Sequence, residues 1–311
     1  MSGERPPQPT LAILIPCLDE ERGIAAVVTD YGREFPGARI LVIDNGSSDA
    51  TAERARSAGA EVLLESRRGK GRAIATAFDL LQEDLVLMVD GDGTYPAEGA
   101  RRLLEAHRNE AADMITGIRT PDGSPAAFRP LHRLGSAAFA LVFRLVFHYA
   151  PRDLFSGLRL FSNRFYKNVP LLFRGFELET ELTVQGVEKG FRLTEVDVPF
   201  RERAEGSSSK LRTVRDGFRV LRLLFVLFRD YRPLLFFGGI AGLFFVAGIA
   251  AGSLPVYEYY RTRLVGRFPL AMLAAGLMNL SLFTLLTGVM LESGLRHRRE
   301  SYQIALRNYR A

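Results

Sequence analysis

The chain has 311 residues, a hydrophobic fraction of 47% and a formal net charge of +6. Its single cysteine excludes internal disulfide bonds and suits a reducing compartment. The basic balance does not indicate nucleic-acid binding, because the arginines crowd beside apolar runs in the second half and the aromatic residues are mostly phenylalanines within such runs.

The first 118 residues alternate short apolar runs with segments of helical periodicity, which is typical of βα units around a mainly parallel sheet. Strands are predicted at Leu11–Ile15, Ile40–Ile43, Val62–Leu64, Leu85–Val89 and Met114–Thr116. Helices are predicted at Glu20–Phe35, Thr51–Ala58, Gly71–Gln82 and Glu98–Asn109, with Ser48 or Asp49 as the N-cap of the second. The pattern therefore predicts an α/β, Rossmann-like fold with helices on both faces of the sheet.

Acidic turns follow two of these strands. Asp90-Gly91-Asp92 follows the fourth predicted strand, and Asp44 follows the second. Ligands of open α/β sheets bind beyond the carboxyl ends of strands, and carboxylates placed there need a counter-charge. Mg²⁺ on a diphosphate supplies it, because this cation is held by one or two carboxylates and substrate phosphates. The pair predicts one nucleotide-phosphate site, although a capped Asp/Gly turn would explain either segment alone.

Two further polar segments lie at predicted helix starts. Asp19 and Glu20 could accept hydrogen bonds from a base or ribose, but acidic residues also favour the positive end of a helix dipole. Lys70 lies in the basic, glycine-containing run of residues 67–72, where backbone amides and a lysine charge suit a phosphate. An ordinary basic loop is the alternative for this run.

Two later segments are apolar but carry basic side chains. Leu131–Tyr149 contains two histidines and two arginines. In Leu211–Arg232 the arginines fall within an arc of about 160° on a helical wheel, opposite Leu, Val and Phe. Both are predicted to be amphipathic helices at a membrane interface. A core helix is the alternative for the first.

Two uncharged runs follow, from Pro233 to Tyr257 and from Phe268 to Leu291. Each exceeds the roughly 20 apolar residues needed to cross a bilayer, so a transmembrane hairpin with spans at about 234–253 and 268–291 is predicted. Arginines are more numerous outside the two runs than between them, which places the N-terminal domain and both termini in the cytoplasm. Glycine spacings within the first run permit close helix packing and self-association.

Several motifs occur in the order and approximate spacing that are typical of one protein family. The first four are Pro16-x-x-x-Glu20, Asp44-x-Gly-Ser-x-Asp49-x-Thr51, Gly69-Lys70-Gly71 and Asp90-x-Asp92. The later ones are Asp153-x-x-Ser156-Gly157-x-Arg159, the acidic stretch at 176–181 and the run from Arg201 to Lys210. The set resembles family-2 glycosyltransferases of the GT-A fold, and within them the polyprenyl-phosphate sugar synthases, the group of dolichyl-phosphate mannose synthase and bacterial undecaprenyl-phosphate glycosyltransferases. The similarity covers about residues 10–232, and the hairpin matches members with two spans.

The resemblance implies a metal-dependent transfer of a hexose from a UDP- or GDP-sugar to a dolichyl or undecaprenyl phosphate at the cytoplasmic face of the cell membrane. Residues 1–210 would form the GT-A catalytic domain, 211–232 an interface helix, and 233–311 the hairpin with a basic tail. Membrane lipids and a second copy of the chain are the further partners expected.

The resemblance also implies roles for individual residues. Asp90 and Asp92 would hold Mg²⁺ or Mn²⁺. The nucleotide pocket would contain Pro16, Leu18, Glu20, Asp44, Lys70, Asp90 and Gly91. The residues that close over the departing diphosphate would be Arg201, Arg203 and Lys210. The lipid phosphate would meet Arg119, Arg129, Arg133 and Ser136.

The chemistry predicted for such an acceptor is direct displacement with inversion. A phosphate monoester is already anionic near pH 7, so positioning and electrostatic stabilisation of the leaving diphosphate supply most of the catalysis. Asp153 is the candidate orienting or general-base carboxylate, with Glu177 and Glu179 behind it. A structural pairing of Asp153 with Arg159 or Arg152 is the alternative.

Two positions depart from the family pattern. Asn45 stands where a second aspartate is frequent, and Thr94 stands where some relatives carry a metal-coordinating amide. Among the other functions, a processive polysaccharide synthase would carry Gln-x-x-Arg-Trp, and this chain has no tryptophan. A membrane-tethered transferase with another acceptor stays open, as does a non-catalytic scaffold that binds nucleotide sugars, although the intact Asp90/Asp92 pair disfavours the scaffold.

Overall fold

A computed structural model describes residues 9–121, 143–144, 146–171, 178–201, 222 and 225–310. The two predicted interface helices therefore lie mostly outside the described residues. Six residues named from the sequence also lie there: Arg129, Arg133, Ser136, Glu177, Arg203 and Lys210. The chain forms two compact units, residues 1–216 and 217–311, and the predicted boundary at residue 210 stays a prediction.

The first unit contains a seven-stranded sheet and flanking helices. The strands are β1 (Leu11–Cys17), β2 (Arg39–Asp44), β3 (Glu61–Leu64), β4 (Leu85–Met88), β5 (Met114–Pro121), β6 (Arg159–Ser162) and β7 (Leu193–Phe200). The described helices are α1 (Ile24–Glu34), α2 (Thr51–Ser57), α3 (Lys70–Leu80), α4 (Ala97–Glu110), α5 (Asn163–Tyr166) and α6 (Leu178–Glu188).

The strand order is β3-β2-β1-β4-β6-β5-β7. Neighbouring strands run parallel except around β6, which is antiparallel to both β4 and β5. The prediction of an α/β fold with a mainly parallel sheet is therefore confirmed. Strands β2 and β3 lie on one side of β1, and β4 lies on the other, so the order in which strands are added to the sheet reverses between β1 and β4. Such a switch point opens a crevice for ligands at the carboxyl ends of the strands.

The core is built around the two strands that flank this switch point. All of β4 and all of β1 after its first residue are buried, as expected of parallel strands covered on both faces. Helix α1 buries Ile24, Val27, Val28 and Tyr31, whose spacing places them on one helical stripe. The apolar packing thus fixes the strand ends from which the polar turns project.

Two local predictions were wrong. Helix α1 begins at Ile24 rather than Glu20. Residues 21–23 form a turn instead, in which the Glu20 carbonyl accepts from the backbone N–H groups of Gly23 (3.1 Å) and Ile24 (3.1 Å), while the Glu20 N–H donates to the hydroxyl of Thr51 (2.9 Å). The N-cap of α2 is Ala50, which makes no side-chain cap. The Asp49 carboxylate still accepts from the backbone N–H of Thr51 (3.0 Å), but it also accepts from Glu21 and so belongs to the contact between the two turns.

The second unit contains the long helices α7 (Pro233–Thr262) and α8 (Phe268–Arg310). Both are long and apolar enough to cross a membrane, and only 11% of the most apolar stretch of each is buried. Core helices of soluble proteins pass the same test of length and composition but are mostly buried. Large apolar side chains here are exposed, among them Leu243, Phe283 and Met290, and an apolar surface of this extent marks an interaction site.

The two helices pack closely where small residues meet. A side chain added at Gly248 would touch Met278 (3.3 Å), and one added at Gly252 would touch Ala274 (3.3 Å). The hydroxyl of Ser281 donates to the backbone carbonyl of Ala241 (2.8 Å). Part of the predicted glycine spacing therefore serves the contact within one chain, and self-association stays a prediction.

Candidate active site at the carboxyl edge of the sheet

The turns after β1, β2 and β4 meet at one edge of the sheet. Asp44 pairs with Cys17 at the end of the parallel β1–β2 register. Gly91 lies so close to β1 that a side chain there would come within 2.6 Å of the Cys17 sulfur. The following residues predicted from the sequence lie at this edge: Pro16, Leu18, Glu20, Asp44, Asp90, Gly91 and Asp92.

Lys70 is bound by two carboxylates. Its ammonium donates to Oδ1 of Asp90 (2.7 Å) and to Oε1 of Glu179 (2.7 Å), which lies near the start of α6. The side chain of Lys70 is 18% exposed and that of Glu179 is 5% exposed. Burial opposes the charge of Lys70, but the attraction of Asp90 and Glu179 outweighs it and raises the lysine pKa. Lys70 is therefore a charged group held inside the site, which confirms neither the phosphate role nor the ordinary-loop alternative.

Gly157 and Tyr95 hold the other side of Asp90. A Cβ added at Gly157 would lie 2.5 Å from the Asp90 Cγ and would overlap Oδ2. The Tyr95 hydroxyl accepts from the backbone N–H of Gly157 (2.9 Å) and shares a hydrogen bond with Ser156 (3.2 Å). Burial, followed by the charge of Asp90, raises the pKa of Tyr95 to about 12, so the hydroxyl stays protonated. The sequence did not indicate that Tyr95 belongs to the site, because an aromatic residue after a turn is usually part of the hydrophobic core.

Asp92 is oriented by the turn that it begins. Its Oδ1 accepts from the backbone N–H (3.0 Å) and the hydroxyl (2.7 Å) of Thr94. Gly93 between them has a φ of +77°, which glycine adopts readily. The carbonyl of Thr94 in turn accepts from the backbone N–H of Arg201 (2.9 Å). Thr94 therefore aims Asp92, and the turn brings Arg201 to the same edge.

The donor set suits a hard divalent cation. The part of the chain that the structure describes has no group of three or more acidic, cysteine or histidine side chains that could hold a metal ion. A cation at Asp90 and Asp92 would therefore need further ligands from a substrate or from water. Mg²⁺ is usually held by one or two carboxylates and completed by phosphate oxygens and water. The second partner of Lys70 offers a further buried acceptor, since Oε2 of Glu179 has no hydrogen-bond partner among the described residues. The arrangement fits a cation that shares its ligands with a diphosphate.

Asn45 joins two loops of the site. Its amide nitrogen donates to the backbone carbonyls of Glu65 (3.0 Å) and Arg67 (2.9 Å), and its amide oxygen accepts from Gly69 N–H (2.6 Å). Asp44 beside it is buried, and its carboxylate accepts from the backbone N–H (3.1 Å) and the hydroxyl of Ser47. The amide of Asn45 serves these contacts because its nitrogen donates two hydrogen bonds and its oxygen accepts one, whereas the carboxylate of an aspartate could only accept.

We expect Asn45→Asp to lower the free energy of unfolding by about 3 kcal/mol, since it sets a buried carboxylate against two carbonyl oxygens. Asn45→Ala removes the same hydrogen bonds without adding charge, and should cost less. Thermal unfolding of both variants in one detergent would measure the difference. A melting temperature of Asn45→Asp equal to that of the wild type would contradict the account.

Asp153 forms a bidentate ion pair with Arg119. The arginine Nε and Nη2 donate to Oδ2 (2.7 Å) and Oδ1 (2.8 Å) of the carboxylate. The alternative partners from the sequence are engaged elsewhere: Arg152 binds Asp197 (2.9 Å), and Arg159 hydrogen-bonds no carboxylate in the described residues. The roles of Asp153 as a base and of Arg119 at the acceptor phosphate stay predictions. The two roles depend on each other, because the two side chains form an ion pair.

Arg159 is fully buried and connects the 153–157 loop to α6. Its guanidinium donates to the carbonyls of Ser156 (3.1 Å) and Leu154 (2.7 Å) and to the Thr183 hydroxyl (2.9 Å). The sequence suggested Arg159 only as an alternative partner of Asp153, and the structure gives it other partners. It fixes the loop that carries Asp153 and Gly157.

Comparisons with known proteins identify the family to which the chain is similar. Residues 12–169 match the family model described as glycosyl transferase family 2. Glycosyltransferase AglJ of Haloferax volcanii is 34% identical over 255 residues, which cover 82% of this chain and 84% of that protein. Dolichyl-phosphate hexose transferase of the same organism is 30% identical over 194 residues, which cover 62% and 84%.

A solved structure shares the fold. Glucosyl-3-phosphoglycerate synthase from Mycobacterium tuberculosis, in complex with Mn²⁺, uridine diphosphate and phosphoglyceric acid, aligns with a TM-score of 0.57 at 20% identity and covers 70% of this chain and 78% of that one. The likeness supports a GT-A-like architecture for the first unit.

Proposed function

Because the chain belongs to glycosyl transferase family 2 and is a glycosyltransferase, we propose that it transfers a hexose from a nucleoside-diphosphate sugar to a polyprenyl phosphate at the cytoplasmic face of a membrane. The observation that carries the proposal is the pair of carboxylates, Asp90 and Asp92, at the switch point of the sheet, in a chain that also has two exposed apolar helices.

The donor side is supported by the chemistry of the edge. Asp90 and Asp92 would bind Mg²⁺ or Mn²⁺, which would neutralise charge on the leaving diphosphate. Lys70 lies within hydrogen-bond distance of Asp90 and adds a cation beside the same phosphates. A solved neighbour binds Mn²⁺ and uridine diphosphate, so a UDP-hexose is a suitable first donor to test, with a GDP-hexose beside it.

The acceptor side is supported by the second unit and by a relative named dolichyl-phosphate hexose transferase. Helices α7 and α8 offer apolar surface long enough to hold the chain in a bilayer. The arginines that flank them favour a cytoplasmic catalytic unit and cytoplasmic termini. A phosphate acceptor carries its own negative charge and does not need a strong base to deprotonate it. This agrees with a site in which the Asp153 carboxylate forms an ion pair with Arg119.

The chain's own residues would then act mainly by positioning and electrostatics. Arg119 would share its guanidinium between Asp153 and the acceptor phosphate, and Arg201 would approach the diphosphate from the Thr94 turn. With the nucleophile behind the anomeric carbon and the diphosphate fixed in front, one displacement completes the transfer.

The test is a panel of radiolabelled UDP- and GDP-hexoses with the purified full chain, undecaprenyl phosphate and Mg²⁺ or Mn²⁺. We expect organic-extractable radioactivity with one donor, and none when undecaprenol replaces undecaprenyl phosphate. Transfer only to a water-soluble acceptor would support the membrane-tethered alternative. Binding of nucleotide sugars without any transfer would support the scaffold.

The product is expected to have the anomeric configuration opposite to that of the donor, because an anionic phosphate acceptor can attack the anomeric carbon directly and needs no enzyme nucleophile. The configuration can be read from the anomeric coupling constant of the purified lipid product by NMR. Retention would rule out the single-step scheme, whichever sugar is transferred.

A further inference from the structure

Lys70 occupies a position that the proposed cation also needs. Its ammonium lies 2.7 Å from Oδ1 of Asp90, one of the two carboxylates expected to hold Mg²⁺ or Mn²⁺. A divalent ion at the same carboxylate would sit within a few ångströms of a fixed positive charge, and two cations at that distance repel strongly in a partly buried site.

Lys70 cannot easily swing out of the way. It is the first residue of α3, and the backbone N–H of the preceding Gly69 donates to Asn45 (2.6 Å). Its ammonium is held from the second side by the buried Glu179. These contacts hold the backbone next to Lys70 and hold its ammonium, and together they keep the charge beside Asp90.

We propose that Lys70 is the internal counter-ion of Asp90 before the donor binds, and that it makes binding of the divalent cation dependent on the donor's diphosphate. The inference rests on the proposed function, since it takes Asp90 and Asp92 as the cation site. Without nucleotide, a bare ion must compete with the Lys70 ammonium for the Asp90 carboxylate, and binding is weak. A diphosphate brings further negative oxygens, which compensate both cations, so the ion binds together with the nucleotide.

Glu179 is the positioning residue in this scheme. Its Oε1 holds Lys70, while Oε2 lies buried without a hydrogen-bond partner in the described part of the chain. Through Oε1 this carboxylate stabilises the lysine charge and fixes where it lies. Its place on α6, 109 residues from Lys70 in sequence, ties the position of that charge to the packing of the helix.

The experiment measures binding of Mn²⁺ by the loss of its free six-line EPR signal, using the purified full chain without nucleotide and then with UDP or GDP. We expect weak binding of bare Mn²⁺ by the wild type, tightened at least about tenfold by the nucleotide that binds. Lys70→Met should bind bare Mn²⁺ about tenfold more tightly than the wild type and lose most of the nucleotide dependence.

Two variants serve as controls. Arg68→Met removes an exposed positive charge from the same loop, and it should bind bare Mn²⁺ as the wild type does, which separates the local contact from net charge. Lys70→Arg keeps the charge and should also leave bare Mn²⁺ binding weak. Lys70→Gln is a second neutral variant should Lys70→Met fold poorly by circular dichroism.

The inference is overturned if folded Lys70→Met or Lys70→Gln binds bare Mn²⁺ no more tightly than the wild type. It is also overturned if adding Asp92→Asn to Lys70→Met leaves the tighter binding intact, because the ion would then lie elsewhere. These readouts need no acceptor, so a chain that shows the Mn²⁺ pattern but transfers no sugar to lipid would refute the proposed acceptor and leave the counter-ion role supported.

Discussion

Asp92→Ala is expected to lower the initial rate of hexose transfer on the order of 100- to 1000-fold, the usual cost of removing a charge-stabilising group from an active site. The reason is that Asp92 is one of the two carboxylates proposed to hold the cation, and the described residues contain no group of three or more acidic, cysteine or histidine side chains that could hold it instead. The direction of Asp92 is fixed by Thr94, which donates to Oδ1 twice. The measurement is organic-extractable radioactivity from the labelled donor at saturating Mn²⁺.

Two companion variants separate charge from shape at this turn. Asp92→Asn keeps an oxygen that can accept from Thr94 but loses the charge, and we expect it to be almost as inactive as Asp92→Ala. Thr94→Val removes one of the two hydrogen bonds that orient Asp92 and should lower the rate only about tenfold. If Asp92→Ala retained most of the wild-type rate, the cation site would lie elsewhere.

Gly157→Ala is expected to lower the same rate about 100-fold with little change in thermal stability, because displacing a reacting group by about 1 Å can cost that much. The added methyl group would overlap Oδ2 of Asp90. Lys70 already contacts Oδ1 of the same carboxylate, so the Asp90 carboxylate must shift. Such a shift moves its oxygens from the place proposed for binding the cation. Rates and melting temperatures measured on one preparation would show both effects.

Gly32→Ala provides the matched control. Gly32 lies inside α1, where alanine is favoured, and its added methyl group would meet only the terminal methyl of Ile40 (3.3 Å). It should leave the transfer rate unchanged. A normal rate for Gly157→Ala would show that Asp90 tolerates the shift and that its tight packing against Gly157 does not serve catalysis.

Several sequence-derived roles stay predictions. Arg203 and Lys210 lie outside the described residues, as do Arg129, Arg133 and Ser136. Their expected contacts with diphosphate and lipid phosphate therefore rest on the family resemblance. Arg119 and Arg201 are described and lie at the same edge as the acidic turns, which is consistent with the roles expected of them but does not test those roles.

The amino-acid sequence by itself determined the α/β class, the positions of most strands and the two apolar helices, because each follows from a local period of hydrophobicity. It also determined that Asp44, Asp90 and Asp92 lie at one edge, since the carboxyl ends of neighbouring parallel strands meet there. Only the tertiary structure decided the partners of these charges. Lys70 binds Glu179 across 109 residues, and Asp153 binds Arg119 rather than the nearer Arg152 or Arg159. Such pairings depend on how elements distant in sequence pack together, and no local pattern records that distance.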